Sequence, residues 1–211
     1  MPVDFLFFDR IMSDCSQLLQ KMARQRSEDK RIALLESATE MVAALGLGAP
    51  TAQIAKKAGV AEGTLFRYFP TKDDLLNELF AYLTSNLSEA LQRDYDETAS
   101  LKIRTHTMWS NYVDWGIKHP AAHSAMNQLA VSEKIRPELY ASAVKPCLDL
   151  RGVIDNREFE GISRKSSSEF SEAVLSAIAQ VTINCATNNY KDAQAYKEAG
   201  FDVMWRGLVG E

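Results

Sequence analysis

Cysteine is scarce in this chain of 211 residues: Cys15, Cys147 and Cys185 are the only three, and they lie far apart. Isolated cysteines in odd number give no disulfide framework and no Cys-x-x-Cys pair, which favours a reducing compartment. No apolar run is long enough to span a lipid bilayer. The sequence therefore predicts a soluble, cytoplasmic protein.

Motifs that carry catalysis are also missing. The chain has no nucleophile elbow, no phosphate-binding loop and no paired catalytic carboxylates. His119 and His123 are four residues apart, but Pro120 between them puts His119 ahead of a helix, so the two side chains need not share a face. We predict that the protein is not an enzyme and that it holds no metal and no cofactor.

Positive charge is scarce overall but concentrated near the N-terminus. Residues 21–72 contain nine basic and five acidic residues, a net charge of +4, so the remainder carries −8 within a total of −4. A basic segment on an acidic body is typical of a site-specific DNA-binding protein.

Strand signals are weak, and apolar residues recur with the helical period along most of the chain. We predict helices over residues 28–46, 72–93, 101–118, 120–132, 137–160, 168–187 and 192–209, with a polar loop over 161–168. The predicted fold class is all-α, with a small N-terminal and a larger C-terminal domain.

Two further short helices joined by a tight turn are predicted over residues 51–72. The first begins at Thr51, a residue suited to helix capping, and carries Ile54 and Ala55 on an apolar face. Gly59 supplies the positive φ that such a turn requires, and Leu65 in the second helix points inward. The pattern predicts a helix-turn-helix.

The second helix leaves a face of small and hydrogen-bonding groups for a DNA major groove. Gly63 permits close approach, Thr64 and Arg67 reach base edges, and Tyr68 donates to a phosphate. Lys72 opens the next helix, where the dipole disfavours a cation, which suggests an external phosphate. The predicted DNA-binding residues are Thr51, Ala61, Glu62, Gly63, Thr64, Arg67, Tyr68 and Lys72.

The run from Gly59 to Lys72, with its Gly-Thr-Leu-Phe-Arg-Tyr-Phe helix, resembles the TetR/AcrR family of bacterial repressors. The resemblance implies a three-helix DNA-binding domain over residues 22–72 and a ligand-binding and dimerisation domain over 73–211. It also implies a homodimer on double-stranded operator DNA in the bacterial nucleoid, and repression that a small-molecule inducer relieves.

Residues 1–21 precede this resemblance and are interpreted as an appended leader or an extra N-terminal helix. The segment after them holds Arg24, Arg26, Lys30 and Arg31. Such a basic arm either follows the phosphates or enters the minor groove, or it is simply a solvated terminus.

The C-terminal domain is rich in aromatic side chains, which suits either a ligand pocket or a plain core: Phe80, Met108, Trp109, Tyr112 and Trp115. Its pattern over residues 108–120, 128–133 and 200–206 resembles the RamR-like regulators that sense multiple drugs and bile acids. That resemblance implies a pocket for flat, aromatic, often cationic compounds, with walls at Phe80, Thr105, Trp109, Glu172 and Leu175.

In that pocket Trp109 would stack on the ligand and Glu172 would neutralise a cation, although Glu172 equally suits the first turn of a helix. The last two helices have wide apolar faces and are predicted to pair with a second copy. We therefore predict a repressor that controls efflux or stress genes. The alternative is a DNA-binding regulator whose body binds a protein partner.

Overall fold

A computed structural model describes residues 5–144 and 167–210. All regular structure within these ranges is helical, which confirms the all-α prediction. The helices are α1 (Phe5–Leu45), α2 (Thr51–Lys57), α3 (Glu62–Tyr68), α4 (Lys72–Leu91), α5 (Leu101–Lys118), α6 (Pro120–Ala130), α7 (Pro137–Val144), α8 (Ser168–Asn188) and α9 (Ala193–Val209), with a 3₁₀ turn at Tyr190–Asp192. The chain divides into two compact units, one up to Leu75 and one from Leu76.

The first helix is much longer than predicted. It begins at Phe5 rather than near residue 28, so the basic segment is part of a helix and not an extended arm. Ser27-Glu-Asp suits a helix start, but these residues also fit a helix interior at small cost, and no proline or glycine interrupts residues 5–45. Gly46, at φ 76°, then ends α1 by donating its N–H to the carbonyl of Val42.

The N-terminal unit packs α2 and α3 against the C-terminal half of α1. Leu35 of α1, Ile54 of α2 and Leu65 of α3 are fully buried. The turn between α2 and α3 contains Gly59 at φ 72°, as predicted, and the N–H of Val60 closes it on the carbonyl of Ala55. These helices form the predicted helix-turn-helix.

The helix α2 begins at Thr51, as predicted, but Thr51 does not cap it. Pro50 occupies the cap position with extended φ and ψ, it offers no side-chain cap, and Thr51 is the first helical residue. At α4 a side-chain cap is present: Thr71 Oγ1 accepts from the N–H of Asp74, whose carboxylate accepts from the N–H of Thr71. Lys72 therefore lies in the first turn of α4, as predicted.

The C-terminal unit packs α5, α8 and α9 around one apolar cluster. Ser100 caps α5 and Ser167 caps α8 through their hydroxyl oxygens. The buried members of the cluster are Trp109, Val113, Ala179, Ile183, Phe201, Met204 and Trp205. This cluster supports the walls of the cavity described below.

The predicted helix over 137–160 is described only as far as Val144, and the rest of it, with most of the predicted 161–168 loop, lies outside the described residues. In the described ranges, no helix combines the length and the apolar character that crossing a membrane requires.

Candidate nucleic-acid interface and ligand cavity

The outer face of α3 is open and bears most of the predicted DNA-reading residues. Gly63 and Arg67 are exposed, while Thr64 and Tyr68 are half-buried. Leu65 and Phe69 of the same segment are buried, so the core fixes which side of α3 faces outward. Thr64 and Arg67 are three residues apart and lie on one side of the helix, as two residues that read one groove must.

Gly63 is not required by packing inside the protein. A Cβ built at this position meets no atom within 4 Å, and its φ is not in the left-handed region. A glycine in a helix costs roughly 0.5–1 kcal/mol relative to alanine. On the outer face of α3, Gly63 leaves the backbone open to close approach from outside, as the sequence predicts for a DNA groove.

The side chains of Thr51 and Glu62 are hydrogen-bonded to each other. The hydroxyl of Thr51 donates to the Glu62 carboxylate at 2.6 Å and joins the start of α2 to the start of α3. This bond gives both side chains a structural role in fixing the angle between the two helices. Ala61, between the turn and Glu62, is exposed.

Tyr68 lies against α1. Its hydroxyl is 3.1 Å from the hydroxyl of Ser27, and its ring packs near Phe69 with centroids 6.4 Å apart. A tyrosine held at its ring retains hydrogen-bonding capacity at its oxygen for a phosphate. Lys72, at the start of α4, is half-buried.

Phe66 was not among the predicted DNA-binding residues, yet 39% of it is exposed on α3. The sequence signal was available: three aromatics at 66, 68 and 69 cannot all point into one core from a single helix. An exposed phenyl ring beside Gly63 can contact the methyl group of a thymine.

The C-terminal unit contains a cavity of about 180 Å³. Residues from α4, α5, α8 and α9 line it: Leu87, Leu91, Thr105, Met108, Trp109, Tyr112, Glu172, Leu175, Ser176, Ala179 and Met204. Five of the six predicted ligand positions are among them, and Phe80 is the exception. The structure thus brings Thr105, Trp109, Tyr112, Glu172 and Leu175 together around one space.

Phe80 is buried elsewhere. Its ring packs on Tyr140 of α7 with centroids 5.2 Å apart, and it lies seven residues, about two helical turns, before Leu87, which lines the cavity. Trp115, which the sequence also suggested as a wall, instead lies near His123 with ring centroids 6.3 Å apart. Both residues belong to the core around the cavity.

Trp109 is held rigidly from α9. Its indole N–H donates to the carbonyl of Lys197 at 2.9 Å, and the buried Lys197 ammonium pairs with Asp114 at 2.8 Å. Gly200, one turn further along α9, makes room for the indole: a Cβ there would lie 2.8 Å from Trp109 Cζ2 and also collide with the Thr182 hydroxyl. The Trp109 indole N–H therefore already has a hydrogen-bond acceptor within the protein, and Trp109 contributes its aromatic ring to the cavity.

Most polar groups around the cavity are satisfied by the protein. The Thr105 hydroxyl donates to the carbonyl of Leu101 at 2.8 Å. Among the lining residues that the structure describes, Glu172 is the one acidic residue, and there is no lysine, arginine or histidine. These described walls are mainly apolar with one carboxylate, a surface that disfavours an anionic group.

Tyr112 connects the cavity to a polar network between α5, α6 and α8. Its hydroxyl lies 3.2 Å from Nε2 of the buried His123, and Asn127 bridges from that nitrogen to Gln180. Burial lowers the pKa of His123 and keeps the ring neutral at pH 7. His119, in contrast, is exposed at the junction of α5 and α6.

The outer faces of α8 and α9 carry exposed apolar residues. Val181 is 61% exposed and Val203 is 60% exposed. Between the two helices lies a shallow, largely apolar groove of about 390 Å³ that also includes Tyr196. These are the two helices for which the sequence predicts pairing with a second copy. Across residues 5–144 and 167–210, no cluster of three metal-ligating side chains forms.

Comparison with known proteins gives a family match in the N-terminal unit. Residues 34–79 match the family described as bacterial regulatory proteins, tetR family. The fatty acid metabolism regulator protein of Bacillus subtilis is 33% identical over 79 residues, which are 37% of this chain and 41% of that protein. The chain thus spans about two fifths of this curated relative's length.

Solved structures extend the similarity to the whole fold. A tetR family transcription regulator from Shewanella sp. PV-4 superposes with a TM-score of 0.71 at 22% identity, over 85% of this chain and 97% of the other. The regulator LfrR from Mycobacterium smegmatis, in complex with proflavine, gives a TM-score of 0.61 at 20% identity, over 86% and 98%. The shared fold is a helix-turn-helix unit followed by a helical unit.

The tetR family match thus covers residues 34–79, which include the helix-turn-helix, and the solved structures show that the chain shares the fold of a helix-turn-helix unit followed by a helical unit.

Proposed function

We propose that the protein is a homodimeric repressor that a small hydrophobic, aromatic or cationic ligand releases from its operator, and that it controls efflux or stress genes. Two copies of α3 would enter successive major grooves, about 34–36 Å apart, on a near-palindromic site. The observation that carries the proposal is the cavity around Thr105, Trp109, Tyr112, Glu172 and Leu175.

The size of the cavity supports a responsive role. Its volume of about 180 Å³ lies below the roughly 300–1,000 Å³ of pockets that hold drug-sized ligands. A flat aromatic compound would therefore bind best to a state in which α4, α5, α8 and α9 have moved apart. Differential affinity for two states is what allows a ligand to shift DNA binding.

The lining favours a cation or a neutral compound over an anion. Glu172 stabilises a positive charge and Trp109 offers a ring face for stacking. Among the described lining residues there is no basic side chain to pair with a carboxylate or phosphate. LfrR, which shares the fold, was solved with the cation proflavine. A fatty acyl ligand would need to keep its charged head away from Glu172.

Dimerisation is proposed through α8 and α9. Burying Val181, Val203 and Tyr196 against a second copy would remove an apolar surface that a monomer leaves in water. Two helices from each protomer would form a four-helix interface.

The test is a thermal shift with proflavine and with the bile acid cholate. A ligand that binds only the folded state raises the melting temperature. Glu172→Gln should reduce the proflavine shift and leave the cholate shift, and Glu133→Gln, an exposed glutamate outside the cavity lining, is the matched control. No shift with either compound would contradict the small-molecule sensor and favour a body that binds a protein partner.

A further inference from the structure

The basic segment ahead of the helix-turn-helix lies on a continuous helix. Lys21, Arg24, Arg26 and Lys30 are all exposed on α1, upstream of the part that packs under α2 and α3. A helix fixes the spacing and direction of these charges, whereas a flexible arm would have to be ordered on binding.

One contact places this segment beside the reading helix. The hydroxyl of Ser27 lies 3.1 Å from that of Tyr68, the last residue of α3. In helix-turn-helix complexes, the N-terminal part of the recognition helix contacts the bases. Its C-terminal end then lies toward the sugar-phosphate backbone at the rim of the groove, so α1 around Ser27 lies near the rim as well.

Two basic residues share the face of α1 that meets Tyr68. Arg24 is three residues before Ser27 and Lys30 three residues after it, and residues at this spacing lie on the same side of a helix. Arg31 is partly neutralised by Glu28 at 3.3 Å. Asp29 accepts a hydrogen bond from Gln25 at 2.9 Å and lies about 200° around the helix from Ser27.

We propose that α1 makes a second DNA contact, in which Arg24 and Lys30 bind phosphates that flank the groove read by α3. This inference rests on the proposed DNA-binding function and extends its footprint beyond the bases that α3 reads. The contact carries no sequence information, so it adds affinity and register rather than specificity. We thus assign the basic segment a phosphate contact made from a helix, in place of an arm that enters the minor groove.

The test is fluorescence anisotropy on a duplex selected by the wild-type protein from a random-sequence pool, with and without about 5 bp of added sequence at each end, half a helical turn. Arg24→Ala/Lys30→Ala removes the two contacts and retains helix-favouring residues. The matched control is Lys118→Ala/Lys191→Ala, which removes the same charge from exposed positions in the C-terminal unit.

The expected result is a fall of about 2 per protomer in the slope of log K against log salt for Arg24→Ala/Lys30→Ala, since each lost phosphate contact lowers it by ~0.9. The added flanks should strengthen wild-type binding and not that of this variant. An unchanged slope, or an equal fall in the control, would overturn the proposal.

Failure of the underlying function gives a different result. If no duplex is selected, the operator-binding proposal fails, and the α1 contact is then tested on a random 30 bp duplex. A lower salt slope for Arg24→Ala/Lys30→Ala than for the control on that DNA would still support the α1 contact. Equal slopes would overturn it there too.

Discussion

At the scale of single residues, Gly63 is the clearest link between structure and DNA binding. The protein has room for a Cβ there, so Gly63→Ala should stabilise α3 by roughly 0.5–1 kcal/mol. The added methyl would point into the DNA and weaken binding to the selected duplex by tenfold or more. Urea unfolding and anisotropy on the same samples check both effects, and unchanged DNA affinity would contradict close approach at this position.

At Gly200 an added methyl group should lower stability, in contrast to Gly63. An alanine there must push against Trp109 and Thr182, whereas at Gly207, on the same helix, a Cβ meets nothing within 4 Å. We expect Gly200→Ala to destabilise the protein by about 1–3 kcal/mol, as overpacking does, and Gly207→Ala to leave it near the wild type. Thermal unfolding compares them. Equal melting temperatures would mean that α9 does not press on the Trp109 indole.

Residue roles divide into those that the sequence could reveal and those that need the fold. Leu65 and Phe69 are buried as their spacing predicted, because the helical period decides which side faces the core. The hydrogen bond between Thr51 and Glu62 joins residues eleven apart in the chain, and no local sequence pattern predicts it. Phe80 was assigned to the pocket by resemblance, but its ring packs on Tyr140, about two turns of α4 away from the cavity-lining Leu87.

At the scale of helices, the Tyr112, His123 and Asn127 network ties α5 and α6 to α8. Burial holds the pKa of His123 below its usual value, near 6.5, so below that pH the unfolded chain binds a proton that the folded protein excludes. Stability from this group is therefore complete above pH 6.5 and is lost as the pH falls toward the folded pKa.

His123→Gln should remove this dependence. We expect the wild type to lose more free energy of unfolding between pH 7.5 and pH 5.5 than the variant does, by up to about 1.4 kcal/mol, because pH 5.5 lies about one unit below the unfolded pKa. Urea midpoints at the two pH values measure the loss. His119 is present in both proteins and cancels. Equal losses in both would show that His123 is protonated without cost.

Helix boundaries show which signals are local. Ser100, Pro120 and Gly46 act within one turn of the chain, so the helix limits they predict agree with the structure to within a few residues. The start of α1 was wrong because Ser27-Glu-Asp permits a helix start without requiring one. Where the helix begins then depends on whether the residues upstream also favour a helix.

At the scale of the whole molecule, the sequence indicated two helical units with DNA binding in the first, since that division follows from charge and motif. It did not indicate the volume of the cavity or which side chains close it, because these depend on contacts such as that of Gly200 with Trp109. The proposed class of inducer depends on the same contacts, because they set the size and lining of the cavity.

The most direct test is fluorescence anisotropy of the wild-type protein on the selected duplex, with and without proflavine and cholate. We expect specific, salt-dependent binding that the cation proflavine weakens by about 5- to 150-fold, the usual range for coupled sites, and that the anion cholate weakens less. DNA should weaken proflavine binding by the same factor. Specific binding that both compounds leave unchanged would contradict ligand release, and the absence of specific binding would contradict the regulator's proposed mode of action.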